Sequence, residues 1–130
     1  MLVIGLVLAV VAALLHVYIF VLESLAWTGE RARATFGITS VEEAVTTRQL
    51  AFNQGFYNLF LAVVTLLGVL ITAVASTPVG TTLVLTGVGS MAAAALVLLL
   101  SSPQHRAAAL KQGTVPLLAV IAVVLGMLTG

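Results

Sequence analysis

Of the 130 residues, 62% are hydrophobic, 7% are charged, and the formal net charge is +1. A water-soluble domain of this length carries about 25% charged residues, so the composition excludes a soluble globule and predicts one integral membrane domain over residues 1–130. The five basic residues are too few for a nucleic-acid-binding surface, and because the chain contains no cysteine, disulfides and thiolate metal sites are excluded.

Apolar segments that are long enough, or nearly so, to cross a bilayer core about 30 Å thick occur at four places in the chain. We therefore predict an all-α bundle of four transmembrane helices in the lipid bilayer. The spans are expected at residues 2–27, 49–75, 80–100 and 114–129. Ser40 followed by Glu43 matches a capping box that opens a helix at Val41, ahead of the second span. Residues 104–112 are expected to form a separate short interfacial helix.

The basic residues are confined to two loops, one between the first two spans and one between the last two. They are Arg31, Arg33, Arg48, Arg106 and Lys111. Neither terminus nor the turn at residues 76–79 contains Lys or Arg. By the positive-inside rule, both charged loops are predicted to be cytoplasmic and both termini to lie outside, in a plasma or inner cell membrane.

Polar side chains in the first two spans fall at matching depths. At about 100° per residue, one narrow face of the first span carries small side chains near the N-terminus and polar side chains near the loop. That face contains Gly5, Ala9, Ala12, His16, Phe20, Glu23 and Trp27. The second span carries Asn53, Gln54, Tyr57 and Asn58.

The rise of the helix sets the depth of these groups. Counted from the loop end of span one, Glu23 lies roughly 6 Å and His16 roughly 16 Å in. Counted from the start of span two, Asn53 lies roughly 6 Å and Asn58 roughly 13 Å in. We therefore expect the two polar sets to face each other in the cytoplasmic half, with Gln112 closing the same layer from span four.

Structural interpretations compete with a functional one at these positions. Glu23 is close enough to the boundary to reach water, and a hydrogen bond from span two would satisfy a buried His16. Asn and Gln side chains commonly join membrane helices, and Trp27 is typical of an interfacial anchor. So many polar groups at one depth nevertheless exceed what packing requires, because each needs a partner in a low dielectric.

The chemistry open to His16 and Glu23 depends on their separation, which is roughly 10 Å along the helix axis. A water or a ligand group is therefore expected to bridge them. A carboxyl and an imidazole suit a proton relay or general acid/base chemistry equally well. Their spacing lacks the one-turn geometry of a helical zinc site, and no nucleotide motif is present, so we expect no metal and no cofactor.

The sequence contains three motifs in order along nearly the whole chain. They are H-x6-E-x3-W from His16 to Trp27, N-Q-G-F-Y-N at residues 53–58, and K-Q-G-x-x-P at residues 111–116. These motifs resemble the DUF1304 family of small integral membrane proteins, whose function is unknown. The family usually has a glycine where Leu59 stands. The resemblance implies that the pocket residues are family features, namely His16, Glu23, Trp27, Asn53, Gln54, Tyr57, Asn58, Gln112 and Pro116.

The predicted architecture is also similar, more weakly, to membrane glutathione-using enzymes of the MAPEG kind. Those proteins have four helices, both termini outside, and a ligand pocket in the cytoplasmic half that is lined by span two. Their motif in span two is rich in Arg and Glu. Here Arg48 precedes the segment at residues 53–58, but no acidic residue follows within the span.

The sequence leaves three functions open. The one we favour is binding or transport of a small polar or cationic solute, with proton exchange at Glu23 and His16. Because four helices enclose little space, we expect such a protein to be a homo-oligomer. The second is a membrane-embedded enzyme whose lipophilic substrate enters from the bilayer. The third is an accessory subunit whose polar layer bonds a partner helix.

Overall fold

The computed structural model describes residues 1–130 and contains five α-helices and no β-strand. In chain order the helices are α1 (Leu2–Phe20), α2 (Glu30–Phe36), α3 (Val41–Val74), α4 (Thr77–Ser101) and α5 (Arg106–Thr129). A π-helical turn at Val21–Leu25 extends α1, and a single 3₁₀ turn at Pro103–His105 precedes α5. The predicted all-α fold is confirmed.

All of the helices except α2 are long and apolar enough to cross a membrane. The shortest of these segments, Leu2–Leu25, has 24 residues and rises about 36 Å. That length exceeds the thickness of the hydrocarbon core of a bilayer, which is about 30 Å. The chain is therefore a multi-pass membrane protein with four helices able to span.

The start of α5 differs from the prediction. Residues 104–112 do not form a separate interfacial helix, because α5 already begins at Arg106 and continues to Thr129. Residues 107–112, Ala-Ala-Ala-Leu-Lys-Gln, are strong helix formers, which leave no break before the apolar part. Pro116 is buried within α5 and removes one backbone hydrogen bond, yet the helix continues through it.

The start of α3 agrees with the prediction. Ser40 caps the helix, since its Oγ accepts a hydrogen bond from the backbone N–H of Glu43 at 3.1 Å. The carboxylate of Glu43 reaches back and accepts from the backbone N–H of Thr39, also at 3.1 Å. The helix therefore begins at Val41, which positions the polar residues of α3 relative to the loop.

The four long helices form a closed ring in which α1 and α4 each pack against both α3 and α5. The backbone of Leu2 lies against Gly126, so both termini are at one end of the bundle. The short turn between α3 and α4 lies at that end too, and we call it the terminal end. The segments that join α1 to α3 and α4 to α5 lie at the opposite end, the loop end.

Small residues close the terminal half of the bundle. A Cβ atom on Gly5 would lie 2.6 Å from Cγ2 of Val123, and a Cβ on Gly68 would lie 2.6 Å from the backbone nitrogen of Val84. Helices α1 and α5, and helices α3 and α4, therefore approach at backbone distance. The centre is filled by a core of Ala9, Ala12, Val84, Val88, Met91, Ala119 and Val123.

Candidate ligand-binding cleft

The loop half of the bundle contains a cleft of about 530 Å³ between the four long helices. That volume lies within the range of about 300–1,000 Å³ that small-molecule sites occupy. Its deepest lining includes Leu61 and Met91, and its rim includes Phe36, Ser101 and His105. The predicted site residues that line it are His16, Glu23, Trp27, Gln54, Asn58 and Gln112.

Two predicted site residues, Asn53 and Tyr57, lie outside the cleft. They line a shallow hollow on the outer face of α3 with three phenylalanines, and the side chain of Tyr57 is 65% exposed. The reason is helical geometry, since residues four apart share a face and adjacent residues do not. Gln54 and Asn58 therefore form one face, and Asn53 and Tyr57 form the next.

A hydrogen bond between Glu23 and Asn58 joins the extension of α1 to α3. Nδ2 of Asn58 donates to Oε2 of Glu23 at 2.7 Å and to the carbonyl of Gln54 at 3.3 Å. Both side chains are only 8% exposed. The bond occupies one carboxyl oxygen of Glu23 and the amide nitrogen of Asn58, so Oε1 of Glu23 and Oδ1 of Asn58 remain unpaired within the chain.

His16 is held by its own helix rather than by a residue of α3. Its Nδ1 lies 2.9 Å from the carbonyl oxygen of Ala12. A carbonyl can only accept, so Nδ1 carries the proton, and Nε2 of the neutral ring is left as an acceptor. The side chain is 2% exposed, and the alternative in which a residue of the second span bonds it is not observed.

Three polar atoms of buried side chains therefore share the cleft without a protein partner: Nε2 of His16, Oε1 of Glu23 and Oδ1 of Asn58. No fully enclosed side-chain nitrogen or oxygen in the chain lacks a hydrogen bond, so these atoms are accessible from the cleft. Buried polar groups in proteins are normally paired. The arrangement is suited to hydrogen bonding with a molecule that enters the cleft.

The π-helical turn at Val21–Leu25 positions Glu23. The backbone N–H of Ala26 donates to the carbonyl of Val21 at 3.0 Å, so this turn contains one residue more than an α-helical turn. Such turns are frequent at functional sites. The adjacent Ser24 donates from its Oγ to the carbonyl of Phe52 at 2.8 Å, which ties the turn to α3.

Gly55 makes the close approach of α3 to this turn possible. A Cβ atom on Gly55 would overlap Oγ of Ser24 and lie 3.1 Å from Cβ of Glu23. A larger residue would therefore either turn the Ser24 hydroxyl away from the carbonyl of Phe52 or separate the two elements. Because Asn58 lies three residues further along the same helix, this contact determines whether the bond between Asn58 and Glu23 can form.

Trp27 is fixed at the rim of the cleft. Its indole Nε1 donates to Oγ1 of Thr47 at 3.1 Å, and its ring lies 5.3 Å from that of Phe36, centre to centre. Thr47 in turn donates to the carbonyl of Glu43 at 2.8 Å. Trp27 is therefore a wall of the cleft in addition to being an aromatic residue near the membrane boundary.

No lysine or arginine lines the cleft, and its ionisable groups are His16, Glu23, Glu43 and His105. The charge of the cleft is therefore zero or negative unless its histidines are protonated. Such a lining favours neutral or cationic ligands over anions such as glutathione, which carries two carboxylates. No group of three or more His, Cys, Asp or Glu side chains is arranged to hold a metal ion.

The residues that the sequence analysis did not identify include three whose contacts fix the polar side of the cleft: Ser24, Thr47 and Gly55. The contact at Gly55 could have been predicted from the sequence, because a glycine inside a polar stretch of a membrane helix is typical of close helix contact. Ser24 is the neighbour of a predicted site residue. Thr47 is 20 residues from Trp27 in sequence, and nothing in the sequence indicates that the two side chains meet.

Comparison with known proteins gives a family and no characterised relative. No curated protein and no solved structure matches the chain. The model of the family described as "Protein of unknown function (DUF1304)" matches residues 10–124, a range that includes every residue lining the cleft. The chain therefore belongs to the DUF1304 family.

Proposed function

We propose that this protein binds a small polar or cationic solute in the cleft and exchanges a proton as it does so, with Glu23 and His16 as the exchanging groups. The observation that carries the proposal is the set of unpaired atoms on His16, Glu23 and Asn58. These side chains are 2%, 8% and 8% exposed, and they share one cleft. A purely structural polar layer would pair such groups with each other.

Binding and transport place different demands on the bundle. The cleft reaches the loop end, whereas contacts such as that of Gly5 with Val123 close the terminal half. Transport therefore requires that these contacts separate, while binding does not. One chain encloses the cleft, so binding does not need a second copy, and the homo-oligomer stays a prediction.

The test of binding is a thermal-stability screen of the purified protein in detergent. The panel contains glutathione, amino acids, lipophilic cations, quinones and isoprenoids. A ligand of the folded state present at 100 times its Kd stabilises by about 2.7 kcal/mol, which corresponds to several degrees in Tm. We expect a compound that stabilises the wild type but not Glu23→Gln.

Asn53→Ala is the matched control, since Asn53 lies on the same helix outside the cleft. It is expected to respond to the compound as the wild type does. A flat response of the wild type to the whole panel, with Glu23→Gln less stable, would contradict the proposal and favour a structural layer.

A compound that binds then separates transport from the alternatives. In proteoliposomes with a pH gradient, a transporter moves this compound across the membrane, and Glu23→Gln abolishes the movement. Binding without flux would indicate a binding protein rather than a transporter. Chemical conversion of the bound compound that depends on Glu23 would instead support the membrane-embedded enzyme.

A further inference from the structure

The unpaired atoms at the closed end of the cleft are all hydrogen-bond acceptors when Glu23 is ionised. Oδ1 of Asn58 can only accept, Nε2 of His16 accepts because Nδ1 holds the proton, and the carboxylate oxygen of Glu23 accepts. Among these three side chains the only amide nitrogen, Nδ2 of Asn58, already donates to Glu23 and to the backbone carbonyl of Gln54. The side-chain amides of Gln54 and Gln112 also line the cleft. The unpaired atoms of His16, Glu23 and Asn58 therefore complement a ligand group that supplies several N–H donors.

The charges around Glu23 point to the same kind of ligand. No basic side chain lines the cleft, so an ionised Glu23 has no counter-ion in the protein. The other titratable groups that face the cleft are His16 on α1, Glu43 on α3, and His105 before α5. Glu43 is engaged at the loop end by Thr39. A buried carboxylate without a cation is costly, and an ammonium group removes that cost.

One side of the cleft is apolar and open to the outside of the bundle. Leu61 of α3 and Ala94, Val97 and Leu98 of α4 line it. Val97 lines the cleft and is also 65% exposed, which is possible only where the cleft reaches the outer surface. The glycine contacts between α3 and α4, at positions 68, 80 and 87, all lie in the terminal half. The opening between these helices faces the region of lipid.

We infer that the ligand is an amphiphilic organic ammonium ion, a primary or secondary amine in its protonated form with an apolar substituent. Its N–H groups donate to Glu23, Asn58 and His16, and its substituent lies between α3 and α4. This inference rests on the proposed function and names its ligand class. When the ion meets protonated Glu23, the carboxyl O–H bond breaks, its proton leaves to water, and the ammonium pairs with the carboxylate.

The test uses the fluorescence of Trp27, the only tryptophan of the chain, which lies on the rim of the cleft. The full chain in detergent is titrated with hexylammonium, propylammonium, hexyltrimethylammonium, hexanol and hexanoate. We expect saturable binding of hexylammonium, roughly 60-fold tighter than propylammonium, since each of the three additional methylenes contributes about fourfold. Hexyltrimethylammonium, which has no N–H, is expected to bind at least about tenfold more weakly.

The variants and the pH dependence separate specific binding from partition into the detergent. Glu23→Gln is expected to lose the preference for hexylammonium over hexanol, and Asn53→Ala to keep it. In the wild type, the affinity for hexylammonium falls between about pH 8 and about pH 4, because protons compete for the carboxylate. Protonation of His16 acts in the same direction, and the wild-type measurement does not depend on the folding of any variant.

Two results would overturn the inference. One is hexanol or hexanoate binding to the wild type as tightly as hexylammonium. The other is an affinity for hexylammonium that does not fall on acidification. Either result leaves the proposed function in place if the stability screen yields a ligand of another class that depends on Glu23. If the stability screen finds no ligand that depends on Glu23, the result counts against both the inference and the proposed function.

Discussion

The side-chain amide of Asn58 has two roles, one for its nitrogen and one for its oxygen. Nδ2 is committed to Glu23 and to the backbone of Gln54, which holds the carboxyl in place, while Oδ1 faces the cleft. An aspartate or leucine of similar size would lose the donor to Glu23. The amide is thus the side chain that both joins two helices and offers an acceptor to a ligand.

The bond between Glu23 and Asn58 predicts an energetic coupling. In a double-mutant cycle of Glu23→Ala and Asn58→Ala, we expect a coupling of about 1 kcal/mol in the free energy of unfolding, since interhelical hydrogen bonds in membranes contribute about 0.6 to 2 kcal/mol. Chemical denaturation in detergent measures it. The same cycle with Asn53→Ala in place of Asn58→Ala is expected to give a coupling near zero, and an equal coupling would contradict the assignment of partners.

At these positions the sequence predicted the face of α1 correctly but not the face of α3. On the predicted face, Phe20 and Trp27 are half-buried. The other five residues are buried, as the periodicity of the first span indicates: Gly5, Ala9, Ala12, His16 and Glu23. The polar stretch at residues 53–58 contains residues on two adjacent faces, and periodicity alone does not say which face meets α1. In the structure Gly55 lies directly against Ser24 and Glu23, which places the face of Gln54 and Asn58 towards the first span.

The π-helical turn and the glycine opposite it act as one element of the site. The turn displaces Glu23 and Ser24 relative to a continuous α-helix, and Gly55 lets α3 approach both. Nothing in the sequence of residues 21–25 predicts a π-helical turn over an α-helical one. We predict that its formation depends on its partners on α3, above all on the carbonyl of Phe52, to which Ser24 donates.

Substitution of Gly55 tests this dependence. We expect Gly55→Ala to lower the free energy of unfolding by about 1 kcal/mol, because the added methyl overlaps Oγ of Ser24 and either breaks its hydrogen bond to Phe52 or pushes the two elements apart. Gly89→Ala is the control, since a Cβ at Gly89 has no neighbour within 4 Å. Its effect is expected to be neutral or stabilising by up to about 1 kcal/mol, as alanine favours the helix. Thermal unfolding of the two variants in one detergent compares them, and equal losses of Tm would show that Gly55 has no special contact.

The whole molecule is divided into a closed terminal half and an open loop half. Both termini lie at the closed end, and both charged loops lie at the open end, as alternating spans require. The basic residues at the loop end predict that the cleft opens to the cytoplasm, so its solute would be taken from there or from the inner leaflet.

Single cysteines test this orientation, and the chain has no native cysteine to interfere. Gln104→Cys places a thiol at the loop end and Thr77→Cys places one at the terminal end, both at exposed positions. In intact cells, a membrane-impermeant maleimide is expected to label Thr77→Cys at once. It is expected to label Gln104→Cys only after permeabilisation, and the reverse pattern would place the cleft on the outside.

Three features follow from the amino-acid sequence alone: four helices able to cross a membrane, the start of α3 at Val41, and the buried side of α1. These are local properties, since they follow from hydrophobic length, capping and helical periodicity within one segment. Two other features come from the packing of the helices: Asn58 rather than Asn53 meets Glu23, and a cleft remains between the helices. These depend on the space between segments, where the contact of Gly55 with Ser24 and the small-residue contacts of the terminal half determine how closely the helices pack.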